Sequence, residues 1–197
     1  FRLISDGTYL WSLPYSGNVV IRWNPENGET REYTDVPPGL QCRHPILGYE
    51  QMEKPFSRAA FCGDYVYLTP GWSNMYVRLN KKTGVMSKWD PPFEVPDTWE
   101  NGYFISGEKG HCGCAIENAD GKVYLFFVSA NRKTYAVNLE TNDVKEICLE
   151  FDLDELKAHE AGFQEYSEWL PYVCLENAFN SLPNILDGNV IGNQFDK

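Results

Sequence analysis

A short motif that recurs three times restricts the possible folds of this chain more than any other feature. Residues 6–11 read DGTYLW, and the motif returns as GDYVYL at 63–68 and as DGKVYL at 120–125, so successive copies are 57 residues apart. A fixed period of this length is typical of proteins built from one repeated structural unit that stacks on its neighbours. The chain is therefore expected to contain three similar units.

A second motif follows each copy of the first. It reads VIRWNPENG at 20–28, YVRLNKKTG at 76–84 and TYAVNLETN at 134–142. The aligned asparagines are Asn24, Asn80 and Asn138, at spacings of 56 and 58 residues. Pro25 and Gly28 suit a tight turn, because Pro fixes φ at about −65° and Gly tolerates positive φ. Two motifs that keep one period indicate a true internal repeat.

Each unit is predicted to form four antiparallel strands. Short aromatic and β-branched runs, separated by turn residues, occur at 64–69, 75–80, 84–89, 122–129, 133–139 and 143–149. Segments 57–63 and 112–118 supply a first strand for the second and third units. The predicted fold class is all-β, with three four-stranded repeats over residues 1–149 (about 1–35, 57–90 and 112–149) and a helical C-terminal appendage over 150–197.

These motifs resemble the blades of the β-propeller superfamily and are most similar to streptogramin-lyase-like propellers and to the sensor propellers of two-component regulators. The resemblance covers about residues 1–149, through the motif at 6–11 and the run at 20–33. The lyases carry His and acidic residues on inner loops, and no motif of this chain matches them. Propellers close with about 4–8 blades. Three units therefore imply upstream blades, a homodimer that completes one ring, or closure by the last segment.

The C-terminal segment has the pattern of helices. Asp152 suits the N-cap of a first helix that ends near Gly162. Pro171 suits the first turn of a second helix, which Pro183 breaks. Gly188 is expected to stop the turn that follows. This segment is expected to pack on the last blade or on a partner.

The charge balance excludes some partners. The chain has 17 basic and 28 acidic residues, a net charge of −11 and a pI of about 4.7. Nucleic-acid binding needs a basic surface, so nucleic acid is not expected as a partner. No apolar run approaches the roughly 20 residues that span a bilayer, so no membrane span is predicted. No cofactor is predicted either.

The first residue and the cysteines bear on the origin of the chain. It starts at Phe1 and its first residues already read as a strand, so we expect a fragment of a longer protein, from which a signal peptide could be missing. The six cysteines are Cys42, Cys62, Cys112, Cys114, Cys148 and Cys174. A chain this long and apolar does not need a disulfide scaffold, which favours reduced thiols in a cytoplasmic protein.

Two long connections are the expected place for a ligand. They cover roughly 35–56 and 90–111, about twenty residues each, and loops beyond about 12–15 residues are usually functional or disordered. In a propeller these connections share one face with the second-to-third strand turns, which hold Tyr15 and Asn131 among others. The predicted ligand-binding residues on this long-loop face are Arg43, His44, Trp72, Asn74, Trp99, Tyr103, His111 and Arg132.

The tryptophans divide into two groups. Trp11, Trp23 and Trp89 stand at repeat positions in strands and are predicted to lie in the blade core. Trp72 and Trp99 stand in loops, where a ring either stacks on the apolar face of a sugar or covers the neighbouring blade.

A zinc site is a second possibility on the long-loop face. Its candidate ligands are Cys42, His44, His111, Cys112 and Cys114. These residue types suit zinc, but both Cys-containing pairs are one residue tighter than the usual ligand spacing. The alternatives are a disulfide between the two connections, or thiols without a ligand. The residues favour the last of these.

Three functional hypotheses follow. The leading one is a non-catalytic binding or sensing module that holds a neutral ligand, a glycan or a peptide, on its long-loop face. The second is a lyase or glycoside-processing enzyme that uses His44 or His111 with a loop carboxylate. The third is a structural module in which an open blade edge and the helical segment assemble with another chain, because exposed strands need covering.

Overall fold

The computed structural model describes residues 2–43, 50–92, 112–128, 134–147 and 187–196. The strands in these ranges are β1 (Arg2–Ser5), β2 (Leu10–Leu13), β3 (Val20–Trp23), β4 (Thr30–Tyr33), β5 (Phe56–Cys62), β6 (Tyr65–Pro70), β7 (Tyr76–Asn80), β8 (Met86–Trp89), β9 (Cys112–Glu117), β10 (Val123–Val128), β11 (Thr134–Asn138) and β12 (Val144–Ile147). One helix, α1, spans Gly188–Phe195.

The strands form three four-stranded antiparallel sheets, which we call sheet I (β1–β4), sheet II (β5–β8) and sheet III (β9–β12). Within each sheet every strand pairs with the next one along the chain. Each sheet corresponds to one predicted repeat, and the strand bounds lie within a few residues of the predicted ones. The predicted β-rich repeat is therefore confirmed.

Each sheet closes its last hairpin with the same asparagine-led turn. The side-chain oxygen of Asn80 accepts hydrogen bonds from the backbone nitrogens of Lys82 and Thr83, at 3.0 and 2.9 Å. Asn138 accepts from Glu140 N and Thr141 N in the same way, and Asn24 accepts from Glu26 N, the first of these two contacts. The last residue of each turn motif has positive φ, namely Gly28 (77°), Gly84 (84°) and Asn142 (65°). The three asparagines therefore mark equivalent positions in the three sheets.

Sheets I and II pack face to face through apolar side chains. Trp11 is fully buried, and its ring centroid lies 5.8 Å from that of Phe61 in sheet II. The same cluster contains Tyr33 of sheet I with Val66 and Leu79 of sheet II. Burial of apolar surface is the main force that stabilises such a contact.

Sheet II packs on sheet III with its opposite face. Successive side chains on a strand point to opposite sides of the sheet, so Tyr67 points away from sheet I while Val66 faces it. The rings of Tyr67 and Trp89 meet edge to face with centroids 4.9 Å apart. They belong to a buried cluster with Leu125 and Val137 of sheet III. Sheet II is thus the middle layer of the stack.

The prediction for the strand tryptophans is correct for two of them. Trp11 and Trp89 are buried. The prediction for Trp23 is wrong, because this residue is 42% exposed. Trp23 pairs with Leu10 across β2 and β3, on the face of sheet I that no other described element covers.

The C-terminal helix packs on sheet III and corrects one expectation. Gly188 was expected to stop a turn, but α1 begins there, and the Asp187 side chain caps it by accepting a hydrogen bond from Asn189 N. A Cβ atom at position 188 would lie 2.2 Å from the carbonyl oxygen of Glu117. Glycine therefore permits the close approach of α1 to the end of β9. The helices predicted at 152–162 and from Pro171 lie outside the described residues.

Candidate ligand-binding surface

The first connection pairs with the turn between β6 and β7. The backbone nitrogen of Arg43 donates to the carbonyl of Trp72 at 3.1 Å, and Asn74 N donates to Gln41 O at 3.0 Å. The part of the connection that follows sheet I is therefore hydrogen-bonded to a turn of sheet II. The first connection thus lies at the same end of the stack as this second-to-third strand turn, which is the arrangement that the propeller resemblance implies.

Lys54, near the end of the same connection, links the corresponding turns of sheets I and II. Its backbone nitrogen donates to Tyr15 O at 2.5 Å, and its carbonyl accepts from Trp72 N at 2.8 Å. Lys54 has a φ of 43°, in the left-handed region. For a residue with a side chain this conformation costs about 1–3 kcal/mol, and such residues concentrate at functional sites.

Gly71 allows the β6–β7 turn to approach Lys54 this closely. Its backbone nitrogen donates to Pro55 O at 2.9 Å. A Cβ atom at position 71 would lie 2.2 Å from the carbonyl oxygen of Lys54, which is far inside the contact distance. A side chain at this position would therefore separate the turn from the connection.

Tyr15 and Trp72 lie side by side as a result, and together with Lys54 they form what we call the Tyr15–Trp72 surface. The two ring centroids are 6.5 Å apart and the ring planes meet edge-on at 61°. The Lys54 ammonium nitrogen lies 5.8 Å from the Trp72 ring centroid. Tyr15 is 55% exposed and Trp72 is partly buried. The surface combines accessible aromatic area with a cation.

Asn74, one of the predicted ligand residues, holds the connection in place. Its side-chain oxygen accepts from Gln41 N at 3.0 Å, and its side-chain nitrogen donates to Gly39 O at 2.8 Å. Both ends of the amide are thus engaged within the chain. Arg43 lies in a short bridge opposite Glu50 and is partly buried. Ligand contact by Asn74 and Arg43 stays a prediction.

Cys42 is a buried free thiol of the first connection, in a bridge opposite Ser73 of the β6–β7 turn. It is 3% exposed, and its sulfur lies 3.5 Å from the sulfur of Met52. Burial raises the pKa of the Cys42 thiol to about 12. Because electrophiles react with the thiolate, this environment opposes reaction of Cys42 at neutral pH.

The remaining predicted site residues cannot be placed on this surface. His44, Trp99, Tyr103, His111 and Arg132 lie outside the ranges that the structure describes. The backbones of Cys112 and Cys114 lie in β9, but their side chains are outside those ranges too. Among the described residues, no group of His, Cys, Asp or Glu side chains is arranged to hold a metal ion. The zinc prediction therefore stays open.

Sequence reasoning did not single out Lys54, although it links the two aromatic residues. No motif marks it, since its conformation and contacts arise from the meeting of two turns and a connection that are distant in the chain. The sequence placed Tyr15 in a second-to-third strand turn of the long-loop face but not among the ligand-binding residues. Its exposure in the structure identifies it as part of the surface.

A scan of protein-family models found no match to this chain, and a search of curated proteins found no significant relative. No helix within the described ranges combines the length and the apolar character needed to cross a bilayer.

Proposed function

We propose that this protein is a non-catalytic binding module whose Tyr15–Trp72 surface holds a neutral glycan. The observation that carries the proposal is the exposed Tyr15 ring beside Trp72, held there by backbone hydrogen bonds through Lys54. Aromatic rings fixed at a surface offer contact area to the apolar face of a sugar at little cost in side-chain entropy.

The charge of the molecule supports a neutral ligand. A net charge of −11 repels anionic partners at long range. Lys54 places an ammonium group 5.8 Å from the Trp72 ring centroid, and a lysine ammonium is a hydrogen-bond donor of the kind that pairs with hydroxyl oxygens. Such a surface binds by aromatic contact and hydrogen bonding.

We propose in addition that sheets I, II and III are consecutive blades of a β-propeller. Three observations support this arrangement. Each sheet is a four-stranded meander, the sheets stack face to face in chain order, and the first strand of sheet II lies against both neighbouring sheets. The long-loop face of such a propeller would include the Tyr15–Trp72 surface.

The glycan proposal is tested by binding of neutral oligosaccharides, with cellohexaose, maltohexaose and xylohexaose as probes in isothermal titration calorimetry. Trp72→Ala and Tyr15→Ala should each weaken binding by about tenfold, which corresponds to about 1.4 kcal/mol. Trp23→Ala is the matched control, because Trp23 is also exposed but lies on the outer face of sheet I. It should leave the affinity unchanged.

Thermal denaturation of each variant separates lost binding from lost folding. A variant that melts like the wild type but no longer binds supports the proposed surface. If none of the probes binds, or if Trp23→Ala weakens binding as much as Trp72→Ala, the proposal is wrong. Binding of a neutral peptide alone would point to the other ligand class.

The enzyme hypothesis has a separate test. Turnover of a polysaccharide substrate that survives the double substitution His44→Ala and His111→Ala would exclude these histidines as the acid–base pair. Loss of turnover with retained glycan affinity would favour the enzyme.

A further inference from the structure

The outer face of sheet I, which points away from sheet II, carries four apolar side chains. Cross-strand pairing places Leu10 opposite Trp23, while Leu3 and Ile21 each pair with Ser12. Residues paired in this way share one face of a sheet. Leu3 is 57% exposed and Trp23 is 42% exposed. The face is therefore open, and these apolar side chains share it with Glu32, which pairs with Ile21.

The same positions are buried in sheet II. Asn24 and Asn80 are equivalent, so Trp23 corresponds to Leu79, and the pair of Leu10 with Trp23 corresponds to the pair of Val66 with Leu79. Val66 and Leu79 are fully buried in the cluster that joins sheets I and II.

Sheet III repeats this relationship. Val137 directly precedes Asn138 and pairs with Leu125. Both residues are almost completely buried in the cluster that joins sheets II and III. In sheets II and III these positions thus receive the preceding sheet, whereas in sheet I they are open to solvent.

The chemistry of the covering face is also repeated. Sheet I presents Trp11 to sheet II, and sheet II presents Tyr67 to sheet III, each of them paired with the arginine two residues before the turn asparagine. A second position is aromatic in both sheets. Tyr33 occupies it on the last strand of sheet I, and Trp89 occupies it on the last strand of sheet II. A sheet that fits the outer face of sheet I therefore carries aromatic side chains at both positions.

Within the described residues, no other sheet has such a face available. The face of sheet III that points away from sheet II contacts α1, where the rings of Tyr124 and Phe195 lie 5.1 Å apart. The net charge of −11 also opposes close association of two copies.

We propose that the outer face of sheet I docks a further four-stranded sheet of the same repeat, linked ahead of β1 as sheet I is linked ahead of sheet II. The sheets stack in chain order, and the open face is the one that receives the preceding sheet. The docked sheet buries Leu3, Leu10, Ile21 and Trp23. This inference is independent of the glycan proposal.

The test extends the full chain by a second copy of residues 1–55, placed ahead of residue 1. This segment contains sheet I and its own connection, and so supplies the required aromatic face. The added copy carries Trp23→Phe, so that only the original Trp23 reports in hydroxyl-radical footprinting. The oxidation rate of the original Trp23 should fall to that of the buried Trp11 and Trp89 in the same sample.

The control is the same extended chain with Leu3→Lys on the original face, where Trp23 should regain the oxidation rate that it has in the unextended chain. Sedimentation velocity of the unextended chain should show a monomer. If the original Trp23 stays as reactive after extension, the proposal is overturned. It is also overturned if the unextended chain forms a dimer that Leu3→Lys dissociates, because a second copy would then occupy the face.

Discussion

The indole nitrogen of Trp11 donates a hydrogen bond to Oδ2 of Asp6 at 2.8 Å. The carboxylate of a hairpin turn thereby satisfies the single polar group of a fully buried side chain. Its other oxygen accepts from the backbone nitrogens of Thr8 and Tyr9, at 3.0 and 2.7 Å. Burial acts to raise the pKa of Asp6, but these hydrogen bonds outweigh it and hold the pKa below its usual value.

Asp6→Asn should therefore lower the free energy of unfolding by about 1–2 kcal/mol at neutral pH, because an amide nitrogen cannot accept the Trp11 hydrogen bond. The lowered pKa means that the wild-type carboxylate stabilises the fold above the usual pKa of 3.8, and that this contribution is lost as the pH falls through the folded value. The difference between wild type and variant should thus shrink in acid, as measured by urea unfolding.

Asp90→Asn is the control for this prediction. Asp90 forms an exposed ion pair with Lys88 at 2.6 Å, and such pairs contribute about 0–1 kcal/mol. An Asp6→Asn difference that is the same at neutral and acid pH would contradict the role given to the carboxylate.

Gly84→Ala should destabilise the protein more than Gly28→Ala. Both residues close equivalent turns with positive φ, so both substitutions strain the backbone, by about 1 kcal/mol. A Cβ atom at Gly84 would in addition lie 2.9 Å from the Arg31 guanidinium and 3.2 Å from the Tyr33 ring, whereas the space at Gly28 is open.

The additional loss of stability at Gly84 measures the contact between sheets I and II at this turn. Arg31 of sheet I donates hydrogen bonds there to the carbonyls of Lys82 and Thr83 of sheet II. Chemical denaturation of both variants measures the two costs. Equal losses in the free energy of unfolding would mean that the Arg31 and Tyr33 side chains move aside at no cost, and would contradict this prediction.

Asn74→Asp should destabilise the first connection more than Asn74→Ala. The alanine loses two hydrogen bonds, at a cost of about 1–2 kcal/mol. The aspartate keeps an acceptor for Gln41 N. Its second, charged oxygen faces the carbonyl of Gly39, which in the wild type accepts a hydrogen bond from the Asn74 amide at 2.8 Å. Thermal denaturation ranks the variants. If Asn74→Ala melts like the wild type but weakens glycan binding, Asn74 is a ligand residue.

The Cys42 thiol should react with iodoacetamide only when the protein unfolds. Its pKa of about 12 makes the thiolate scarce at neutral pH, and its burial excludes the reagent. Cys62 should react earlier because it is partly exposed, although burial raises its pKa as well. Mass spectrometry of the alkylated peptides, with and without urea, measures both. Rapid labelling of Cys42 in the folded protein would contradict its placement.

Alkaline pH provides a second check on Cys42. Its pKa is higher in the folded protein than the usual value of 9.0, so the neutral thiol stabilises the fold below pH 9.0 and this contribution is lost as the pH rises toward 12. Cys42→Ala should therefore lose less stability than the wild type over this interval.

The repeat made much of the fold predictable. Local rules determine strands and turns, so the asparagines of the second motif identified the last turn of each sheet, and Gly28 adopts the positive φ that its turn requires. The C-terminal helix was harder to place. A glycine such as Gly188 occurs both just after the end of a helix and where the start of a helix packs closely on another element. The Asp187 N-cap distinguishes these two cases here, but a single aspartate is a weak indication of a helix start.

The candidate site was predicted only in part. The propeller resemblance indicated which turns and connections lie near each other, and Trp72 was among the predicted residues. The role of Lys54 depends on two backbone hydrogen bonds to residues far away in the chain. No local pattern encodes such contacts.

The sequence by itself determined that the chain forms three similar four-stranded sheets, because the period, the turn residues and the alternation of strand side chains are all local properties. Only the tertiary structure decided which faces are covered. Trp11 and Trp23 occupy neighbouring strands of the same sheet, yet one is fully buried and the other is 42% exposed. The pairing of Trp23 with Leu10, together with alternation along β2, places Trp11 and Trp23 on opposite faces. Burial then depends on which neighbouring sheet is present to remove each face from water.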